Sequence, residues 1–201
     1  MEVYNVVLAG VGGQGIITVG KIIVDAALRE GKNAVMSEVH GMAQRGGSVL
    51  SEVRIGDAMS SIIPSGEADL VIGFELIEPL RYVEKFGERT ILLVNNDRIM
   101  PLPTLLGEEE YPSSEVIVSE MKKLTKRLYV INASKLAEEA GSPLSMNMVM
   151  LGAALSLGMP LKPGTVKEVL RERFRGKVLE INEKALDLGF STVEKMLKSV
   201  D

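Results

Sequence analysis

Two short stretches carry the residue types that chemistry would need. Residues 8–17 read LAGVGGQGII, so Gly10, Gly12, Gly13, Gln14 and Gly15 stand between an apolar run and a helical pattern. Residues 38–49 read EVHGMAQRGGSV and hold the only histidine of the chain, His40, together with Gln44, Arg45, Gly46 and Gly47. Glycine is used where a backbone turns tightly or where something must approach it closely. Gly10, Gly12 and Gly15 form a G-x-G-x-x-G, which between a strand and a helix is a dinucleotide-fold fingerprint that aims backbone amides at an anion. Two roles stay open for it: the turn and close helix packing alone, or these together with an anion at the helix start.

An NAD site would further need an acidic residue ending the second strand, about 20 residues on, to hold the ribose hydroxyls. Glu38 has that position in sequence. The guanidinium of Arg45 beside the amides of Gly46 and Gly47 suits a phosphate or a carboxylate, and His40 titrates near neutrality or donates a hydrogen bond. Each has a structural alternative: a hydrogen-bonded histidine in a loop, and an arginine in a salt bridge or an interface. Neither has a catalytic companion nearby in sequence, so no catalytic residue is assigned to this chain.

Composition removes several classes of function. The 201 residues are 46% hydrophobic and 25% charged, as in a globular domain, and one unit over residues 1–201 is expected. A net charge of -4 lacks the basic footprint that nucleic-acid binding needs. With no cysteine there is no disulfide, no thiolate nucleophile and no Cys-ligated iron-sulfur cluster on this chain. One histidine argues against a zinc site, whereas an all-oxygen magnesium site stays open. The chain starts directly on a strand, without a charged leader and apolar segment, and the cytoplasm is the expected location. Residues 144–159 are apolar nearly all round, but the run is short, contains Ser145, Asn147 and Ser156, and is flanked by Pro143 and Pro160. It reads as a buried helix covered by the chain's own core, not as a membrane span.

The elements that position these motifs follow from periodicity. Glu2 to Ala9 is a strand whose uninterrupted Val6-Val7-Leu8-Ala9 fits burial on both faces of a parallel sheet. Ile16, Ile17, Val19, Ile23, Ala27 and Leu28 recur at helical spacing. Lys32 to Val39 and Ser48 to Ile55 are the next strands, and Gly56-Asp57 reads as a turn into a hairpin partner over Ala58 to Ile63. Residues 68–75 form a buried strand, 76–86 a short helix and 89–96 another strand. Residues 99–114, with three prolines and Glu108-Glu109-Glu110, read as an exposed excursion. A helix over residues 117–128 and a strand over 128–133 follow, and the remainder is helical, with starts marked by capping boxes at Thr165–Glu168 and Ser191–Glu194 and a helix around Val178 to Leu188. The expected fold is α/β and Rossmann-like: a mostly parallel sheet with an antiparallel hairpin over about 1–133 and a helical C-terminal extension over about 134–201.

Four segments, GVGGQG at 10–15, EVHGMAQRGGSV at 38–49, IPSGEADLVIGFELIEPLR at 63–81 and NMVMLGAAL at 147–155, closely resemble the gamma-type domain of the 2-oxoacid:ferredoxin oxidoreductases. The His-Gly-Met-Ala-Gln-Arg-Gly-Gly form resembles the indolepyruvate branch of that family, whereas gamma subunits for pyruvate or 2-oxoglutarate usually carry other residues before Arg-Gly-Gly. The resemblance implies a non-autonomous subunit of an enzyme that converts an aryl pyruvate, coenzyme A and oxidised ferredoxin to an aryl acetyl-CoA, carbon dioxide and reduced ferredoxin. It implies that thiamine diphosphate and the 4Fe-4S clusters belong to a large partner subunit, that ferredoxin is met through the complex, and that neither nucleic acid nor membrane is a partner. It also implies that the glycine loop keeps Rossmann-like geometry while serving the assembly instead of holding NAD, with contact to coenzyme A left open. A gamma subunit for another 2-oxoacid and a free-standing NAD(P)-binding oxidoreductase are the competing readings.

Arg45 is the side chain to test first. Lysine keeps the charge and loses the planar fork, so Arg45→Lys is expected to weaken coenzyme A use or subunit association by about 1–3 kcal/mol if Arg45 grips a phosphate or carboxylate. A surface arginine would show a change within about 0.5 kcal/mol. The Michaelis constant for coenzyme A and the subunit dissociation constant, measured together, separate the two.

Overall fold

The computed structural model describes residues 2–40, 46–100, 104, 107 and 110–199, with His40 described by its backbone. Strand β1 (Tyr4–Val11) leads through the glycine loop into α1 (Ile16–Arg29), and β2 (Ala34–His40) and β3 (Ser48–Ile55) follow. After β4 (Ala68–Gly73) come two kinked turns of 3-10 helix at Glu78–Lys85, then β5 (Phe86–Asn95), α2 (Ser114–Leu124) and β6 (Arg127–Ile131). The last third is helical: α3 (Ala133–Ala140), α4 (Met146–Ser156), α5 (Pro163–Arg173) and α6 (Gly176–Lys198). The six strands form one sheet in the order β2-β3-β1-β4-β5-β6. β1, β4, β5 and β6 are parallel, while β3 runs antiparallel to β1 on one side and to β2 on the other.

Side chains alternate along each strand, so one sheet feeds two cores. Val6 and Leu8 face the layer of α1 and α3 to α6, while Val7 faces the layer of α2, the 3-10 turns and Ile63. All three are fully buried, as the uninterrupted apolar run of β1 requires. The apolar run of residues 144–159 is α4, whose residues are buried nearly all round by this chain's own α6, α3 and sheet. No described helix is long and apolar enough to cross a membrane.

The contact between α4 and α6 depends on two glycines. A Cβ at Gly152 would lie 1.9 Å from the Leu186 carbonyl oxygen, and one at Gly189 would lie 1.9 Å from that of Val149. Each helix therefore uses a glycine to accept the backbone of the other, and no side-chain movement can substitute for the missing methyl.

Three expectations are corrected. Residues 58–63 form no strand, and the antiparallel hairpin is β2 with β3, joined by residues 41–47. The reason lies in β3: Glu52 accepts from the Ile63 N–H at 3.3 Å and pairs with Lys85 at 2.8 Å, and Arg54 donates to the carbonyls of Ser60 at 3.0 Å and Ile62 at 3.3 Å. The backbone groups of this segment thus meet side chains and lie across the sheet face instead of joining its ladder. Neither capping box starts a helix. Thr165 is already inside α5, which begins at Pro163 in the favoured first helical position. Ser191 sits within the 23-residue α6, where its hydroxyl donates back to the Leu188 carbonyl at 3.2 Å. The helix read over 76–86 is the shorter pair of 3-10 turns, closed around Pro79. Of the excursion over 99–114, residues 101–103, 105, 106, 108 and 109 lie outside the described residues.

Gly152→Ala is expected to lower stability by about 2–3 kcal/mol, the upper part of the range for overpacking. The measurement is the urea midpoint at unchanged slope; a wild-type midpoint would show that α4 and α6 separate without cost.

Candidate functional site

The glycine loop occupies the carboxyl end of the parallel strands, where folds of this kind bind their ligands. Gln14 folds back into the loop. Its Oε1 accepts from the Val11 N–H at 2.8 Å and its Nε2 donates to the Phe74 carbonyl at 2.9 Å. Phe74 directly follows β4, so one side-chain amide ties together the ends of two neighbouring parallel strands. Gly10 leaves the room for this, since a Cβ there would lie 2.7 Å from Gln14 Oε1 and 2.9 Å from Phe74 Cβ. Gly15 takes φ 75° as the residue before α1, and no side chain caps that helix start. A Cβ on Gly15 would lie 2.2 Å from the amide nitrogen of Asn147 at the start of α4. A groove of about 370 Å3 runs between Gly13, Gln14 and Gly15 on one wall and Pro143, Leu144, Met146 and Asn147 on the other.

The second motif lies against the first. The β1–β3 ladder runs to Gly10 opposite Val49 and Val11 opposite Ser48, and continues beyond the strands. The Gly12 N–H donates to the Gly47 carbonyl at 2.8 Å, and the Gly46 N–H points to the Gly12 carbonyl at 3.4 Å. Gly10, Gly12, Gly13, Gln14, Gly15, Gly46 and Gly47 are therefore brought to one end of the sheet. His40 ends β2 at the same level, opposite Val49. Gln44 and Arg45 lie outside the described residues.

Glu38 is not placed as an NAD fold would place it. The acid of that fold ends the strand next to β1, but here the neighbour of β1 on that side is β3, and β2 is one strand further out. Glu38 instead approaches Lys21 of α1 at 4.0 Å.

Two carboxylates after β4 were not singled out as site residues in the sequence, although both stand in FELIEPLR. Glu75 is buried and receives the N–H groups of Ile77 at 2.7 Å, Glu78 at 3.1 Å and Ile99 at 3.1 Å, together with the Tyr111 hydroxyl. Burial first, then the hydrogen bond and charge of Glu75, push the Tyr111 phenol well above the ordinary tyrosine range. Arg98 lies 4.6 Å above the Tyr111 ring. Glu78, also buried, receives Ser48 Oγ at 2.5 Å and Arg81 Nε at 2.9 Å. The signal available in sequence was the pair of acids directly after a buried parallel strand, where an unpaired carboxylate would be costly.

Among the described residues no group of three or more His, Asp or Glu side chains is placed to hold a metal ion, and the chain has no cysteine for a cluster. The acids at this end are engaged in holding loops, and every buried side-chain nitrogen or oxygen among the described residues has a partner. The groove beside the loop is walled by Gly13, Gln14 and Gly15 and by Pro143, Leu144, Met146 and Asn147, none of which is an acid or a base, and such an arrangement can seat a ligand or a partner surface.

Comparison with known proteins identifies the family and the fold. The family model described as pyruvate ferredoxin/flavodoxin oxidoreductase matches residues 5–192. An indolepyruvate oxidoreductase subunit, IorB, of Archaeoglobus fulgidus is 43% identical over 188 residues, covering 93% of this chain and 94% of the relative. The gamma subunit of a keto/oxoacid ferredoxin oxidoreductase from Geobacter sulfurreducens superposes with TM-score 0.69 at 26% identity over 94% of this chain and 98% of its own. A 2-oxoglutarate:ferredoxin oxidoreductase from Magnetococcus marinus shares the fold, with TM-score 0.73 at 24% identity, over 98% of this chain but only 32% of its own longer one.

Gln14→Glu tests the amide bridge. The carboxylate can still accept from Val11 but would face the Phe74 carbonyl with no proton, so the folded state raises its pKa above the unfolded value. A raised pKa contributes stability that is present below the unfolded pKa and lost as pH rises through the folded one. The variant is therefore expected to lie near wild type in melting temperature at pH 4 and clearly below it at pH 8; an equal gap at both would remove the Phe74 contact from the account.

Proposed function

This chain belongs to the pyruvate ferredoxin/flavodoxin oxidoreductase family, and on that premise we propose that it is the small subunit of a cytoplasmic indolepyruvate:ferredoxin oxidoreductase. The observation that carries the reading is the end-to-end correspondence with the indolepyruvate subunit, which spans both glycine motifs and α4. The reaction consumes an aryl pyruvate, coenzyme A and two oxidised ferredoxins, and yields aryl acetyl-CoA, carbon dioxide, two reduced ferredoxins and a proton. Thiamine diphosphate and 4Fe-4S clusters do not fit this chain: it has no cysteine, and its described carboxylates at the site are committed to internal hydrogen bonds. They are assigned to a large partner subunit, which also meets ferredoxin.

This chain's part is to bind and orient. The clasped glycine motifs, residues 10–15 and 46–47, form the face turned to the partner and to coenzyme A, and His40, Gln44 and Arg45 are the side chains assigned to it from the sequence. Support for that assignment is the absence of any side chain capping α1 beside an open groove, together with the charged fork of Arg45 directly before Gly46 in the sequence.

The isolated chain is expected to fold and to show no indolepyruvate-dependent reduction of ferredoxin or a viologen dye. Activity should appear on reconstitution with a cysteine-rich large subunit. Turnover by the isolated chain, or none by the reconstituted complex with any aryl pyruvate, would overturn the proposal.

A further inference from the structure

The carboxylate of Glu78 reaches across the end of β1 as a buried acid. It leaves the segment after β4, on one side of β1, and reaches Ser48, the first residue of β3, on the other side. Neighbouring strands lie about 4.8 Å apart, so this contact spans the end of β1 across roughly two strand spacings. Ser48 is the last residue of β3 in register with β1, opposite Val11. The next residue outward is Gly47, whose carbonyl receives the Gly12 N–H. The serine is thus held from one side by the ladder and from the other by a carboxylate that is only 4% exposed as a residue.

The remaining partners hold that carboxylate in place. Arg81 Nε donates to its other oxygen at 2.9 Å, and the Tyr82 hydroxyl lies 3.0 Å from Ser48 Oγ. Gln14 ties β1 to β4 at the same level, so Glu78 completes a second bridge, β4 to β3, over the same strand end. Without it the turn at Gly46–Gly47 would be fixed to the glycine loop by backbone contacts and, through Ser48, by the Tyr82 hydroxyl, at a place where two glycine segments meet and their own side chains cannot pin the conformation.

We propose that Glu78, acting through Ser48, is a positioning residue: it latches the Gly46–Gly47 turn onto the glycine loop and so sets the arrangement in which these two turns meet coenzyme A. The functional half of this statement rests on the reading given under Proposed function; the structural half does not.

The test uses Glu78→Gln, Ser48→Ala and Ser48→Thr, the last of which keeps the hydroxyl. Amide hydrogen exchange, read on peptides covering residues 10–15 and 46–49 of the full chain, is expected to speed up at least tenfold in the first two variants. Exchange in β4 and β5 should stay at wild-type rates, and Thr should restore protection. In the reconstituted complex, the Michaelis constant for coenzyme A should rise at least fivefold while kcat stays within twofold, again with rescue by Thr; a merely structural loss would lower the active fraction and leave that constant unchanged. Wild-type exchange in both Glu78→Gln and Ser48→Ala would overturn the latch, and faster exchange with an unchanged Michaelis constant would overturn its role in positioning. A wild-type complex that turns over no aryl pyruvate would mark failure of the functional reading instead, and the exchange rates would still decide the latch.

Discussion

The close approach of α4 and α6, made through Gly152 and Gly189, is the contact from which the rest of the molecule takes its position. Backbone carbonyls of each helix occupy the space where the other would carry a methyl group. That intimacy lets α4, which is apolar on all sides, be covered without a partner chain. It also fixes where α4 begins. Its Asn147 fills the space beside Gly15, so the residue that starts α1 is held from the far side by a helix placed by α6. A packing constraint deep in the helical layer is therefore expressed at the end of the sheet where the two glycine motifs meet.

At that end the polar side chains work on the protein itself. Gln14 joins β1 to β4, Glu75 gathers the segments after β4 and β5 and Tyr111, and Glu78 reaches β3. Each of these groups is buried or half-buried with its hydrogen bonds made, which is the condition under which polar groups add rigidity and not a penalty. Backbone amides in glycine-rich turns such as these recognise shape and charge.

A sheet that inserts an antiparallel β3 between β1 and β2 departs from the strand order in which a dinucleotide-type glycine motif usually stands. In an NAD fold the strand next to β1 ends in the acid that holds the ribose. Here that place is taken by β3 running the other way, whose residue at the site is Ser48. The glycine pattern is kept by the turn, by Gln14 and by Asn147, all of which demand the same absence of a side chain.

Much of this was open to reading in the chain. The uninterrupted apolar runs of β1, β4 and β5, the helical spacing of α1, the burial of α4 and the two glycine motifs all follow from local pattern, because burial on one face or two is written into periodicity. The absence of cysteine alone rules out a Cys-ligated cluster on this chain. Tertiary structure decided what local pattern leaves degenerate. Residues 58–63 follow a Gly56-Asp57 turn as a hairpin strand would, yet side chains of Glu52, Arg54 and Lys85 satisfy their backbone first. Thr165 and Ser191 match capping boxes, yet Pro163 starts one helix earlier and the apolar face against α4 carries the other straight through. Gln14 also braces the end of β4, and Glu78, not singled out in the sequence, reaches β3. Both roles depend on residues about 60 and 30 positions away being brought across the end of β1, and only the order of strands in the sheet determines which distant groups a side chain can reach.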